Sequence, residues 1–314
     1  MAGAALLALL AALIRVPDNI SDPACDLTGN AAWIGVEWVN EPPAPAAVSA
    51  LSDDALRYGL NTLFVYTTYL REDGTFNPTY PHAQEFLEMY REANPDTRLL
   101  AWVGVPLANE RPIGVHGWAD LGDAATRSQI TSLAEQLTAD SGFDGIHLNA
   151  ETVQNNDASY LLLLDELREA LGPSKMLSIA GSHWVPKAVN TLPVLHNFRW
   201  TSDYYREVAA RVNQIAVMTY DSVMPHPALY RWWMRTETMG LHRTLRGTGV
   251  EWLLGISVSR EDTVTHHPAA ESLRAGLAGV CAGIRRGSTP DGIAVYALWD
   301  FAEGDRDTWA AWAT

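Results

Sequence analysis

The sequence predicts a single (β/α)8 barrel, and three observations predict it. Short apolar, β-rich runs alternate with longer helical patterns from Trp33 onward. After the first strand stands Val39-Asn40-Glu41-Pro42-Pro43, not the Gly-rich turn that cradles phosphates in doubly wound nucleotide-binding sheets. Polar residues gather at the C-terminal ends of many strand candidates, which is where barrel active sites are built.

The strand candidates are Trp33–Val39, Asn61–Thr67, Arg98–Val105, Phe143–Asn149, Met176–Gly181, Gln214–Tyr220, Trp252–Val258 and Gly292–Trp299. Helical patterns fill the gaps at Ala46–Tyr58, Pro81–Ala93, Asp123–Ala139, Ala158–Leu171, Asp203–Val212, Ala228–Leu245 and Ala269–Arg285, with a short closing helix near Asp305–Trp312. Asn155-Asn156-Asp157 and Thr201-Ser202-Asp203 are helix-start signals, and Gly59, Pro95, Gly172 and Gly287 punctuate the exits. There is no internal repeat, low-complexity tract or linker, so residues 31–314 are read as one domain. Residues 1–30 are read as an arm outside it. Ala2 to Ile14 is apolar, too short to span a bilayer, and similar to a signal-peptide core or the remnant of an anchor. That reading favours an extracellular or cell-envelope location and confines any membrane attachment to this segment.

The chain has 314 residues, 47% of them hydrophobic and 19% charged, which provides a sizeable core and excludes disorder as a description of the whole. A formal charge of −15 without a basic patch excludes a nucleic-acid surface. Tryptophan outnumbers phenylalanine, 12 to 6, which suits either a large core or a cleft in which sugar rings stack. Cys25 and Cys281 belong to no CxxC pair; free thiols are expected, with a disulfide as the alternative. His147, His183, His226, His266 and His267 do not form the His-x-His set of a barrel metal site, so neither metal nor cofactor is expected. No G-x-S-x-G elbow is present for a nucleophilic serine.

The fourth strand carries the strongest functional signal. Side chains alternate faces along a strand, so His147, Asn149 and Glu151 share one face and Ile146, Leu148 and Ala150 the other. The apolar set must face the helices, which turns the polar set into the barrel. A mutually bonded site explains such burial, and a satisfied polar plug without chemistry is the alternative.

Asp144-Gly145-Ile146-His147-Leu148-Asn149-Ala150-Glu151 resembles the D-G-x-D-x-D-x-E strand of glycoside hydrolase family 18, the chitinase-like enzymes. Met218-Thr219-Tyr220-Asp221 resembles that family's M-x-Y-D, and Trp299 stands where the family keeps a tryptophan under the reacting sugar. The resemblance implies a glycan substrate and retaining, substrate-assisted hydrolysis. Glu151 would be the acid/base, Tyr220 would orient the substrate's acetamido group, Asp221 would bind sugar or tune the site, and Trp299 would stack beneath the ring. Asp144, His147 and Met218 would complete the binding surface. Asn149 departs from the pattern: the family has an aspartate there, whose charge balances the cyclic intermediate. Slow turnover or a compensating carboxylate, Glu37 or Asp221, is therefore expected.

Glu37, read at the end of strand one, is a candidate sugar-binding or charge-tuning group or else a rim salt-bridge partner. His183, in Gly181-Ser182-His183-Trp184 after strand five, is a candidate cleft contact. Two other functions stay open: a glycan-binding protein without turnover, and a two-glutamate glycosidase using Glu261, since Glu251 begins its strand at the wrong end.

Overall fold

The computed structural model describes residues 15–108, 117–190 and 199–312, and within them eight parallel strands close a barrel in sequence order. The strands are β1 (Asn30–Ile34), β2 (Leu60–Tyr69), β3 (Arg98–Pro106), β4 (Gly145–Glu151), β5 (Met176–Gly181), β6 (Gln214–Met218), β7 (Glu251–Ser257) and β8 (Gly292–Tyr296). The last pairs with the first through Ala31 opposite Ala294. The (β/α)8 fold class is thus as the alternation predicts. The apolar segment from Ala2 to Ile14 lies outside the described residues.

Parity along each strand separates two apolar layers. Ile146, Leu148 and Ala150 of β4 join the layer between strands and helices, with Val103, Leu163, Leu167 and Ile179 among its members. Trp33, Phe64, Leu100, Trp102, Ala216, Leu253 and Ala294 fill the barrel interior. Asp157 caps the helix Ala158–Leu171 by accepting from Ser159 and Tyr160 N–H, and Asn155 accepts from Thr201 N–H and Oγ1 at the start of the helix Ser202–Ala209.

Three boundaries differ from expectation, and each moves a site residue. β1 ends at Ile34, and Glu37 opens a short helix, Glu37–Asn40. The chain turns because Val39 is fully buried and Trp38 packs on Phe86, contacts that an extended strand would not make. β6 ends at Met218, leaving Tyr220 and Asp221 in the loop beyond it. β8 ends at Tyr296, and Trp299 lies in a 3-10 turn, Leu298–Asp300.

The second half of the N-terminal arm packs on the barrel. Val16, Ile20, Cys25 and Leu27 are buried; Asp18 pairs with Arg274 and Asp22 with Arg285. The free-thiol expectation is corrected here: Cys25 and Cys281 form a disulfide across a Cα–Cα distance of 5.1 Å. A sequence separation of 256 residues hides this pairing until the fold brings the 3-10 turn Pro23–Cys25 onto the helix Leu273–Ile284. A cross-link closing so long a loop stabilises by about 2–5 kcal/mol, mainly by restricting the unfolded chain. Reduction, or Cys281→Ser, is expected to lower the unfolding free energy by about that amount in denaturant titration, with the cleft unaltered.

Candidate active site

The bottom of the barrel is closed by charge. Arg98, at the start of β3, donates two bonds of 2.8 Å to Glu251, at the start of β7, and a third to Thr62 Oγ1. Asp144, just before β4, accepts from Arg91 Nη2 at 2.9 Å and from Leu99 N–H at 2.8 Å. It therefore sits one strand length from Glu151, roughly 20 Å at the usual rise. The expected substrate contact of Asp144 is corrected: its carboxylate ties two elements together at the opposite end.

Above that closure lies a buried polar chain. Trp33 Nε1–H donates to His147 Nε2 at 3.2 Å, so the His147 proton is on Nδ1, which faces Ser178 Oγ at 2.9 Å. Ser178 Oγ in turn donates to Gln214 Oε1 at 2.7 Å. The imidazole stacks on Phe64 with centroids 3.9 Å apart and has no exposed surface. Burial drives its pKa down to about 3, so it stays neutral. His147 as a substrate contact is corrected too: it is a floor beam beneath the site.

At the top, Asn149 Nδ2 donates to Glu151 Oε1 at 3.2 Å, while Asn149 Oδ1 is buried without a partner. Both side chains line a cavity of about 590 Å³, together with Gly35, Val36, Glu37, Tyr66, Tyr69, Trp102, Gly104, Val105, Pro106, Tyr296 and Trp299. Gly104 stands opposite Asn149 in the β3–β4 register, and the missing side chain leaves room beside the amide. A Cβ at Gly35 would collide with the Glu37 carboxylate, so this glycine lets Glu37 fold back onto the cavity wall. Trp299 is half exposed and meets Tyr296 edge-on at 5.8 Å.

Tyr220 stands behind that wall, its ring stacked on Tyr296 at 5.0 Å. Burial, with Tyr296, Glu151 and Asp221 nearby, holds its hydroxyl well above the usual tyrosine range, so it remains an O–H donor. Burial, helped by Glu151, Asp221 and Asp300, likewise pushes the Tyr296 hydroxyl up to about 12.

Two buried carboxylates hold the loop that carries Tyr220. Glu237 accepts from His183 Nδ1 at 2.8 Å and from Trp184 N–H at 3.0 Å, and His183 Nε2 lies 3.0 Å from the Tyr220 carbonyl. Glu271 accepts from Asp221 N–H at 2.8 Å, Ser222 N–H at 3.1 Å, Ser222 Oγ at 2.9 Å and His266 Nδ1 at 3.2 Å. Burial opposes charge on His266, but the Glu271 bond and charge, the Ser259 carbonyl and Asp221 outweigh it and raise the ring above its usual value. His183 is therefore corrected from cleft contact to backbone support.

Of the residues singled out in the sequence, Glu37, Asn149, Glu151 and Trp299 share one cavity, and Tyr220 backs it. Met218 and Asp221 do not line it; the Asp221 carboxylate stands 3.7 Å from His266 Nδ1. Sequence reasoning missed Tyr66, Tyr69, Trp102 and Tyr296. A signal existed for two of them: Tyr66 and Trp102 share the inward parity of Phe64 and Leu100.

With this geometry, comparison with known proteins is informative about shape. Its fold is that of solved chitinase structures. A class V chitinase from Pseudomonas fluorescens Pf-5 matches with a TM-score of 0.61 at 16% identity, covering 91% of this chain and 98% of that one. A chitinase from Chromobacterium violaceum matches with a TM-score of 0.59 at 15% identity, covering 91% of this chain and 98% of that one. The spore cortex-lytic enzyme SleL of Bacillus cereus gives 0.60 at 12% identity, with coverages of 92% and 75%. No family model and no curated protein matches the sequence.

A neutral buried His147 makes a specific pH prediction. Its folded pKa lies below its unfolded value, so its contribution to stability is complete above about pH 6.5 and is lost progressively towards pH 3. The melting temperature of the wild type should fall more steeply across that window than that of His147→Gln, in parallel thermal scans. Equal slopes would contradict the buried neutral imidazole.

Proposed function

We propose that the protein is a glycoside hydrolase that cleaves a β-linked glycan containing N-acetylhexosamine, with Glu151 as acid/base and the substrate's own acetamido group as nucleophile. The observation that carries this reading is the Asn149–Glu151 pair at the C-terminal end of β4, inside one aromatic-walled cavity. Glu151 protonates the glycosidic oxygen as the bond to the anomeric carbon breaks. The acetamido oxygen attacks that carbon from the opposite face, giving a cyclic cationic intermediate. Water then enters, Glu151 takes its proton, and the product keeps its anomeric configuration.

The floor amide suits this role. Asn149 donates to Glu151 through Nδ2, so its oxygen is the atom left for the acetamido N–H. A buried acceptor without a donor costs about 1–3 kcal/mol, which a bound acetamido group would recover. The Tyr220 hydroxyl, kept protonated, donates towards the same group, and Trp299 offers an exposed ring face for stacking. Two solved structures of a Cycas revoluta chitinase are complexes with allosamidin and with an N-acetylglucosamine tetramer. Those ligands support the same glycan class here.

Asn149 brings no charge to the intermediate, and a missing electrostatic contact of this kind costs about 3–4 kcal/mol at a transition state. Glu37, on the wall of the same cavity, is the carboxylate that offsets part of that loss. The uncharged amide also favours a second reading, a glycan-binding protein without turnover. The two-glutamate alternative is weakened: Glu251 is paired with Arg98 at the barrel bottom and Glu261 is exposed and off the cleft wall.

Release of a fluorogenic aglycone from N-acetylglucosamine oligosaccharides and from plain glucosides separates these readings. The hydrolase releases only from the acetamido substrates, and Glu151→Gln abolishes the rate. A binding protein releases nothing and keeps its affinity in Glu151→Gln, whereas release from plain glucosides that vanishes in Glu261→Gln would favour two glutamates. In the same assay Asn149→Asp is expected to raise kcat by about tenfold or more. Its basic pH limb should also move upward, because a second carboxylate beside Glu151 disfavours ionisation of the pair. A kcat unchanged or lowered by Asn149→Asp would sink the assigned role of Asn149.

A further inference from the structure

The loop from Tyr220 to Ser222 is gripped at three consecutive backbone positions by groups that come from two other parts of the barrel. His183, after β5, faces the Tyr220 carbonyl; Glu271, before the helix Leu273–Ile284, takes the next two amides. Both carboxylates, Glu237 and Glu271, have no exposed side-chain surface, and each is met by a histidine and by backbone N–H. Asp221 itself has φ of 57° and Val223 has φ of 57°, left-handed values that non-glycine residues adopt only where the surroundings over-determine them. Val223 N–H is tied in turn to the Thr265 carbonyl, next to His266. Two buried carboxylates thus hold three consecutive residues, Tyr220 to Ser222, one of them through His183. The grip holds the backbone that carries the Tyr220 ring, which is stacked on Tyr296.

The geometry points to Glu271, bonded directly to the Asp221 and Ser222 amides, and Glu237, acting through His183, as positioning residues that aim the Tyr220 hydroxyl at the reacting group. This rests on the hydrolase reading above, in which Tyr220 contacts the substrate. None of His183, Glu237, His266 and Glu271 belongs to the cavity wall. Their bonds reach Tyr220 through its own carbonyl and the two amides that follow it. Displacing a catalytic hydroxyl by about 1 Å suffices for a rate loss near a hundredfold.

A double-mutant cycle tests this on the full-length protein with the N-acetylglucosamine fluorogenic substrate. Glu271→Gln keeps the volume but replaces one acceptor oxygen by an NH2 group, which opposes either the Asp221 or the Ser222 donors and loosens the pair. It is expected to lower kcat about 10- to 100-fold with KM within about threefold. In a Tyr220→Phe background, which has no hydroxyl to aim, the same substitution should cost less than about threefold, because residues acting as one unit are not additive. Glu271→Asp should restore part of the rate. Equal losses in both backgrounds, or a change in KM alone, would overturn the assignment and leave Glu271 with a purely structural role.

Hydrogen exchange gives an answer whether or not the wild type turns over. Asp221 and Ser222 amides should exchange at least about tenfold faster in Glu271→Gln, with strand amides still protected. Unchanged protection at those two amides overturns the clamp itself. A wild type inactive on all acetamido substrates would instead refute the hydrolase reading, a result independent of the exchange measurement.

Discussion

A side chain on β4 points either into the barrel or out towards the helices, and the apolar parity of Ile146, Leu148 and Ala150 decides which. Those three join the strand–helix layer, so His147, Asn149 and Glu151 are committed to the interior. A slip of one residue would bury the polar set among helices and expose the apolar set to the cleft, at a cost of several kcal/mol. Everything at the top of the barrel follows from that commitment. The interior must satisfy three polar side chains in an otherwise aromatic and aliphatic environment, and it does so in tiers. His147 is completed by Trp33 of β1 and Ser178 of β5, with Gln214 of β6 accepting from Ser178 in turn, while Asn149 is half completed by Glu151. The half that is left over, Oδ1, is buried on a residue that lines the cavity.

The tiers also separate charge by function. The charged pairs of Arg98 with Glu251 and of Arg91 with Asp144 are kept at the bottom, where they close the barrel and meet solvent on one side. The middle holds a neutral imidazole, since burial lowers His147 too far to carry charge. At the top, Glu151 and Glu37 share a cavity lined, apart from Asn149, by tyrosine, tryptophan, glycine and aliphatic groups. In such low-polarity surroundings a carboxylate acts on a nearby cation more strongly than it would in water. This is the physical reason an uncharged Asn149 is the most consequential departure in the site.

The parts legible in the sequence were those with a short period. Alternation along β4 placed Glu151 and Asn149, and the order of apolar runs carried the closed parallel barrel. Contacts across the fold were not legible. Cys25 finds Cys281 from 256 positions away, and His147 is completed by partners on two other strands, so residue type was visible but role was not. Strand ends were the other weak point. Glu37 and Trp299 were read as strand residues, yet Gly35 and the cap after Tyr296 turn the chain first, and both side chains reach the cavity from turns. Asp144 was drawn into the site by motif resemblance although its place before β4 puts it at the barrel bottom, where Arg91 and Leu99 claim it. The His–Glu pairs around Tyr220 left no local trace, because each joins segments tens of residues apart or bonds to backbone.

The central claim is that the substrate's own acetamido group is the nucleophile beneath Glu151. Its most direct test is the anomeric configuration of the first-formed product, followed by proton NMR during hydrolysis of an N-acetylglucosamine oligosaccharide before mutarotation. The account predicts the β-anomer first, together with competitive inhibition by a thiazoline that mimics the cyclic intermediate. An α-anomer as the first product would mean direct attack by water and would contradict it.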